Sequence, residues 1–485
     1  MNGPIRNLFV VTMLMFGLLA GATTWWTVVA ADELANDKPS LNKRALVRSL
    51  KIRRGTIRAA DGTVIARSVK GKGGLYRRTY PTGALFGHPV GYSYVGVGQS
   101  GLEASRNQEL MGERSALETA FEQAIGKTPD GDDLVTTLDA GAQRLALSGL
   151  ASAGGDGGAA VAIDPRNGAV KVLASYPSYD PNEVRSAGTY SRLANDEQRR
   201  PLVNRALQFG YAPGSTFKVV TASAALETGA ATPQTTVDGD SGQKFSGAPL
   251  ANDFGEDFGQ VDLTTAMALS VNTAFANLGE RVGKPAMRDE MERFGFGSKP
   301  QLDYPRDAMS ASVIRPNPPG VPVPATSRFV DLGRVAIGQG GLNATPLQMA
   351  LVAAGVANDG ELMRPRLTER ITDRDGRTVD RFTGEKQATV MKKTTADAVT
   401  AMMVAVVERG TGTRAKIPGV TVAGKTGTAE TELGDRINDV WFIGFAPAER
   451  PRIAVAVTVK GVPGFGGEFA APIAQSLMQE LLKRS

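Results

Sequence analysis

The chain has 485 residues, about three domains of ordinary size, with 42% hydrophobic and 21% charged residues, which is typical of a globular protein. It contains no cysteine and one histidine, His88, so disulfides, thiolate metal sites and cysteine nucleophiles are excluded, and histidine-based catalysis would depend on that residue. We assign His88 no role, because a lone histidine is more often a surface or packing residue. The net charge of +6 comes from scattered basic residues, which argues against nucleic-acid binding.

The first predicted element is a membrane span. Residues 7–31 carry no charge, and Trp25 and Trp26 stand near the far end, where an interfacial aromatic belt would lie. About 20 such residues cross a bilayer, so we predict an anchor at 7–31 after a cytoplasmic stub at 1–6. A cleaved signal peptide is the alternative, but its apolar region is usually about 7–15 residues long.

A smaller domain is predicted next, over residues 32–150. Residues 54–57 and 61–65 are expected to form two short strands around an Asp-Gly turn. The stretch 151–159 is rich in glycine and alanine, which predicts a flexible seam. We therefore place the domain boundary there, with a second domain over 151–485.

The second domain shows an α+β pattern. Residues 159–163 and 169–173 flank an Asn-Gly turn, which predicts a hairpin. Other strands are expected only near the carboxyl end, and helices between and after them. The predicted strands are 420–423, 440–445 and 453–459, and the predicted helices are 346–356, 396–407 and 472–483. A sheet built from both ends of a domain, with helices inserted between, is an α+β plan.

Ser215 and Lys218 form the first chemical motif. The segment from Pro213 to Gly229 predicts a helix, so Ser215 would stand in its first turn, where the helix dipole favours an anionic hydroxyl. Lys218 is three residues later on the same face, and its amine could reach the Ser215 oxygen. A lysine acts as a base only when its pKa is lowered by burial or by a second cation.

Lys425-Thr426-Gly427-Thr428 is the third motif in chain order. It follows the predicted strand 420–423 and could offer backbone N–H groups to a ligand, with Gly427 allowing close approach. Thr426 and Thr428 would share one face of a strand. Lys425 could be the second cation that Lys218 needs, and could also bind a carboxylate.

Ser270-Val271-Asn272 is the middle motif in chain order. On a continuous helix, residues two apart point in nearly opposite directions, so Ser270 and Asn272 converge only at a break between helices. There the serine could relay protons and the amide could hold a peptide carbonyl.

In chain order, with Ser215-x-x-Lys218 first, Ser270-x-Asn272 second and Lys425-Thr-Gly third, the motifs resemble those of penicillin-binding proteins and serine β-lactamases, which use lysine in place of histidine. Further likenesses at 54–57, 80–81 and 101–103 are similar to the amino-terminal pedestal of class B penicillin-binding proteins. Those at 337–340, 345–348 and 439–442 are similar to their transpeptidase domain. The overall likeness is to the actinobacterial A-type. The resemblance implies a transpeptidase domain with a central, mainly antiparallel sheet flanked by helices, preceded by a smaller α+β pedestal.

The resemblance also implies a reaction, the D,D-transpeptidation of cell-wall peptides. Ser215 would attack the carbonyl between the last two D-alanines of a stem peptide, with Lys218 as base and Ser270 as proton relay. The resemblance assigns Asn272, Lys425, Thr426, Gly427 and Thr428 to substrate binding, and requires neither a metal nor an organic cofactor. The implied partners are stem peptides, β-lactams, the membrane, a glycosyltransferase and divisome or elongasome proteins, with the catalytic domain outside the cytoplasm.

Two alternatives remain open. A D,D-carboxypeptidase or slow β-lactamase would use the same serine with water as acceptor. A membrane-anchored β-lactam sensor or division scaffold would need no turnover. Residues 32–150 are too few for a glycosyltransferase beside a pedestal, which argues against a bifunctional enzyme.

Overall fold

The computed structural model describes residues 3–26, 50–112, 130–318, 320–430 and 437–484. The chain divides into two compact units, one formed by residues 1–53 and 70–77 and the other by residues 54–69 and 78–485. The predicted split into 32–150 and 151–485 stays a prediction.

The first unit contains an exposed apolar helix, Gly3–Thr24. Its 22 residues extend over about 33 Å, and it is the one helix among the described residues that is long and apolar enough to cross a membrane. The helix begins before the predicted start of the span at residue 7. The end of the predicted span, 27–31, lies outside the described residues.

The secondary structure alternates between short strands and helices. Within the described residues, the helices are α1 (Gly3–Thr24), α2 (Gly87–Val90), α3 (Gly101–Ser105), α4 (Asn107–Met111), α5 (Ala140–Ser152), α6 (Ala187–Ala194), α7 (Lys218–Glu227), α8 (Leu263–Leu269), α9 (Asn272–Val282), α10 (Lys284–Arg293), α11 (Leu332–Ala336), α12 (Pro346–Ala357), α13 (Lys393–Arg409) and α14 (Gly466–Arg484). The strands are β1 (Ile57–Arg58), β2 (Val64–Lys70), β3 (Tyr76–Thr79), β4 (Ser93–Tyr94), β5 (Gly98–Gln99), β6 (Asp133–Thr136), β7 (Gly157–Ile163), β8 (Val170–Tyr176), β9 (Thr236–Asp238), β10 (Gln243–Phe245), β11 (Ala248–Leu250), β12 (Gln260–Asp262), β13 (Val313–Ile314), β14 (Leu342–Asn343), β15 (Glu361–Met363), β16 (Thr368–Thr372), β17 (Thr378–Arg381), β18 (Lys386–Thr389), β19 (Ala423–Glu430), β20 (Asn438–Ala446) and β21 (Ile453–Val462).

One six-stranded sheet has the order β17-β16-β6-β1-β2-β3. The predicted turn at Asp61-Gly62 joins β1 to β2, and Gly62 has a φ of 85°, a conformation that glycine adopts without strain. Strands β16 and β17 lie far along the chain, and β16 pairs antiparallel with β6. This sheet therefore combines strands from both sides of the predicted boundary.

A buried ion cluster stands beside this sheet. The Glu103 carboxylate is fully buried and accepts hydrogen bonds from Arg54 Nε and Arg78 Nε, both at 2.6 Å. Burial alone would raise the pKa of Glu103, but the two guanidinium groups outweigh it and hold that pKa below its usual value. The cluster connects Arg54, which precedes β1, to Arg78 in β3 and to Glu103 in α3.

The central sheet has five antiparallel strands in the order β19-β20-β21-β7-β8. The predicted hairpin is present as β7 and β8, and the predicted carboxyl-terminal strands lie in β20 and β21. Side chains alternate between two cores. Val161 and Ile163 face the core that contains α12, whereas Ala160 and Ala162 face the core that contains α14 and α5. The result is an α+β domain with helices on both faces of an antiparallel sheet.

Several local predictions differ from the structure, beginning with the strands: β9 to β18 lie between residues 236 and 389, where no strand is predicted. Both ends of the predicted flexible seam, 151–159, lie in regular secondary structure, because α5 ends at Ser152 and β7 begins at Gly157. A Cβ on Gly155 or Gly158 would lie 2.3 or 2.4 Å from a carbonyl oxygen of β21, so these glycines permit close packing. The third motif, 425–428, lies inside β19 rather than after a strand at 420–423. The last helix begins at Gly466 rather than at residue 472.

Candidate active site

Ser215 stands on a tight turn that leads into α7. A short 3₁₀ helix, Gly214–Phe217, continues directly into α7 at Lys218. Gly214 has a φ of 52°, and its N–H donates to the Gly338 carbonyl at 3.0 Å, which fixes the start of the turn. Residues three apart eclipse in a 3₁₀ helix, so Ser215 and Lys218 lie on one face.

The Lys218 amine is fully buried and is held by the middle motif. Lys218 Nζ donates to the Ser270 carbonyl at 2.6 Å and to Asn272 Oδ1 at 2.7 Å, and it lies within hydrogen-bond distance of Ser270 Oγ, at 3.2 Å. The expected contact with the Ser215 oxygen is not among the hydrogen bonds of this amine in the described part of the chain. The structure thus gives Lys218 a different set of partners from the one that helix spacing indicates.

Ser270 and Asn272 converge because the helix breaks between them, as predicted. Helix α8 ends at Leu269, Ser270 adopts a left-handed φ of 64°, and α9 begins at Asn272. This backbone conformation is costly for a residue other than glycine and is often found at functional sites. The break points both polar side chains toward Lys218.

The third motif adds a second buried amine. Lys425 Nζ donates to Ser270 Oγ at 2.9 Å and to the Thr426 carbonyl at 3.0 Å. The Ser270 hydroxyl therefore lies within hydrogen-bond distance of both Lys218 and Lys425, at 3.2 and 2.9 Å. A hydroxyl between two amines can accept a proton from one side and donate one to the other.

Strand β19 packs against the turn that carries Ser215. A Cβ on Gly427 would lie 2.7 Å from the Pro213 carbonyl oxygen, and a Cβ on Gly214 would lie 2.7 Å from that of Thr428. Trp441, on β20, donates from Nε1 to the Ala212 carbonyl at 3.0 Å. The backbone of the third motif is therefore in direct contact with the residues that flank Ser215.

Burial and mutual charge set the protonation of the two lysines. Burial, and then the nearby charge of Lys425, hold the pKa of Lys218 well below its usual range. Burial lowers the pKa of Lys425 to about 7. The charge of Asp253 raises both pKa values and so opposes these shifts. A lysine with a lowered pKa can be neutral near pH 7 and accept a proton.

Sequence reasoning missed two residues at the site. Asp253 Oδ1 accepts a hydrogen bond from Asn272 Nδ2 at 3.4 Å, and the Thr411 hydroxyl is hydrogen-bonded to that of Thr426. Neither residue belongs to a recognisable motif. Each lies well outside the motif that it contacts, so no short sequence pattern connects the two. His88 lies elsewhere, buried against Pro177 and Tyr179, and burial lowers its pKa to about 4.

A serine on the turn that leads into a helix, together with two buried lysines that share the hydroxyl of a second serine, suits an enzyme that transfers acyl groups through an activated serine. Comparison with known families agrees with this class. Residues 158–479 match the penicillin-binding protein transpeptidase domain, and residues 54–134 match the penicillin-binding protein A dimerisation domain. The chain belongs to the class B penicillin-binding proteins.

Relatives cover the whole chain. It is 35% identical over 513 residues to the peptidoglycan D,D-transpeptidase PbpA of Mycolicibacterium smegmatis, with 100% of this chain and 99% of the relative aligned. The structure of penicillin-binding protein A from Mycobacterium tuberculosis as a ceftriaxone acyl-enzyme has a TM-score of 0.80 and 32% identity, covering 89% of this chain and 99% of that one. The D,D-transpeptidase domain of an Eggerthella lenta peptidoglycan glycosyltransferase has a TM-score of 0.77 and 34% identity, covering 90% and 99%.

Proposed function

We propose that this chain, a peptidoglycan D,D-transpeptidase of the penicillin-binding protein family, cross-links stem peptides through an acyl-enzyme on Ser215 and is inhibited covalently by β-lactams. The observation that carries the proposal is the position of Ser270 Oγ, within 3.2 Å of the Lys218 amine and 2.9 Å of the Lys425 amine. These contacts connect a base beside the nucleophile to a cation on β19.

In the first half-reaction, the Ser215 oxygen attacks the carbonyl carbon between the last two D-alanines. Neutral Lys218 takes the serine proton, directly or through a rearranged contact in the substrate complex. The tetrahedral oxyanion lies between the backbone N–H groups of Ser215 and Thr428. The close packing of Gly214 against Thr428 supports this assignment, because it brings the Thr428 backbone next to the residue that precedes Ser215.

Collapse of the intermediate breaks the bond to the last D-alanine, whose amine takes a proton from Ser270. Lys218 or Lys425 restores the proton of Ser270 through the hydrogen bonds described above. Asn272 holds a peptide carbonyl, and Lys425, Thr426 and Thr428 hold the terminal carboxylate beside the open backbone at Gly427. The amine of a second stem peptide then attacks the Ser215 ester, forming the amide cross-link and returning the serine hydroxyl.

We extend the proposal to the placement of the enzyme. Helix α1 is a single-pass anchor, and the catalytic part, residues 151–485, lies outside the cytoplasm on a pedestal formed by residues 32–150. The length and apolar composition of α1 support the anchor. A glycosyltransferase that supplies new glycan strands, together with divisome or elongasome proteins, completes the set of proposed partners.

Covalent labelling tests the nucleophile. The full-length protein in detergent is incubated with a fluorescent penicillin, and we expect a stable label that Ser215→Ala abolishes. Ser223→Ala is the control, because Ser223 is a buried serine of α7 whose hydroxyl contacts Met391 Sδ, and this variant should keep the label. A labelled Ser215→Ala protein would contradict the proposal.

Product analysis tests the acceptor. We expect a stem-peptide donor ending in D-Ala-D-Ala, supplied with an amine acceptor, to yield free D-alanine together with the new amide. Release of D-alanine without any amide product would identify a carboxypeptidase instead.

A further inference from the structure

Thr411 contacts the substrate-binding strand from outside the three motifs. Its Oγ1 lies 2.5 Å from Thr426 Oγ1. Thr411 lies two residues after the end of α13, and Thr426 is one residue after the buried Lys425 in β19. Either hydroxyl could be the donor, so the pair has two possible hydrogen-bond directions.

The position of Thr411 is fixed by its backbone. Its N–H donates to the Ala268 carbonyl at 3.2 Å, close to the helix break at Ser270. On the other side, a Cβ on Gly467 would lie 2.4 Å from the Thr411 carbonyl oxygen. The loop is therefore held between α8 and the start of α14, which keeps the Thr411 hydroxyl on Thr426.

We propose that Thr411 is a positioning residue that sets the direction in which the Thr426 hydroxyl donates. This inference rests on the proposed function, in which Thr426 binds the terminal carboxylate of the substrate. A carboxylate is only an acceptor, so Thr426 must donate to it. Thr411 then donates to Thr426, and the two aligned hydroxyls form a polarised chain that ends on the anion.

The hydroxyl of Thr428, the second threonine of the strand, has a different hydrogen-bond partner. Thr428 Oγ1 accepts from the Gly466 N–H at 3.4 Å, a backbone donor that cannot rotate away. Thr426 has a side-chain partner instead, so its orientation depends on residue 411. A change at Thr411 should therefore affect recognition of the carboxylate while leaving the rest of the site in place.

The test compares two ligands that differ only in that carboxylate, a fluorescent penicillin and its methyl ester. Acylation rate constants are measured for the full-length protein in detergent. We expect Thr411→Val, which keeps the shape but removes the hydroxyl, to slow acylation by the acid about tenfold and to change the rate with the ester by less than about twofold. Thr411→Ser keeps the hydroxyl and should restore the rate with the acid.

A double-variant cycle tests whether Thr411 acts through Thr426. In a Thr426→Val background, adding Thr411→Val should have no further effect on acylation by the acid. Equal slowing with acid and ester, unchanged rates with both, or a full additional loss in the Thr426→Val background would each overturn the inference. Failure of the proposed function is distinct, because the wild-type protein would then take no label or Ser215→Ala would keep it.

Discussion

Replacing Lys425 by methionine should make the protein more stable and inactive at the same time. Burial lowers the pKa of this amine from 10.5 to about 7. At about 1.4 kcal/mol per pKa unit, keeping the amine buried at pH 7 costs on the order of 4 kcal/mol of unfolding free energy. Its two hydrogen bonds, to Ser270 Oγ and to the Thr426 carbonyl, return about 1 kcal/mol each. Lys425→Met should therefore raise the unfolding free energy by on the order of 2 kcal/mol.

The pH dependence follows from the sign of the shift. The folded pKa of Lys425 is below the unfolded value, so the unfolded chain binds more protons between about pH 7 and 10.5. Stability should therefore rise with pH across that window, and the cost is fully present below it. Lys425→Met removes this contribution. It also removes the charge that helps to lower the pKa of Lys218, so the remaining buried amine should protonate more readily.

The assay is urea unfolding of the full-length protein in detergent at pH 7 and pH 9.5, together with penicillin labelling. Lys416→Met is the matched control. Lys416 is about half exposed, pairs with Glu408 at 2.9 Å, and should change stability by less than about 1 kcal/mol. A Lys425→Met protein that is less stable than wild type at pH 7 would refute the reasoning. So would a wild-type protein whose stability does not rise between the two pH values.

Three further substitutions address other parts of the chain. Asp253→Asn should lower the pKa of both buried lysines, so the acidic limb of the acylation pH profile should move to lower pH; movement to higher pH would contradict this assignment. Gly427→Val places a Cβ 2.7 Å from the Pro213 carbonyl oxygen, on the turn that carries Ser215, so acylation should slow by about 100-fold or more, and an unchanged rate constant would contradict the packing. Glu103→Ala leaves two buried arginines without their carboxylate and should cost about 3–5 kcal/mol in urea unfolding; a loss below about 1 kcal/mol would show that the cluster is not desolvated.

The sequence alone determined some local features of the fold and of the site. The Asp-Gly and Asn-Gly turns predict their hairpins because each turn type depends on a few adjacent residues. Helix geometry sets the condition for Ser270 and Asn272 to converge, which is a break between helices, since residues two apart point in nearly opposite directions on an unbroken helix. The absence of cysteine and the single histidine argue against cysteine and histidine chemistry, and the three motifs, by their resemblance to a known family, indicate a serine enzyme with a lysine base before any fold is known.

Only the tertiary structure decided which groups meet. Helix spacing predicts that Lys218 lies beside Ser215, but in the folded chain the Lys218 amine is hydrogen-bonded to Ser270 and Asn272. The pairing of β16 with β6 and the contact of Thr411 with Thr426 join segments that no short pattern connects. Burial and the distance between charges arise where distant elements pack together, and these two quantities set the pKa values on which the proposed chemistry depends.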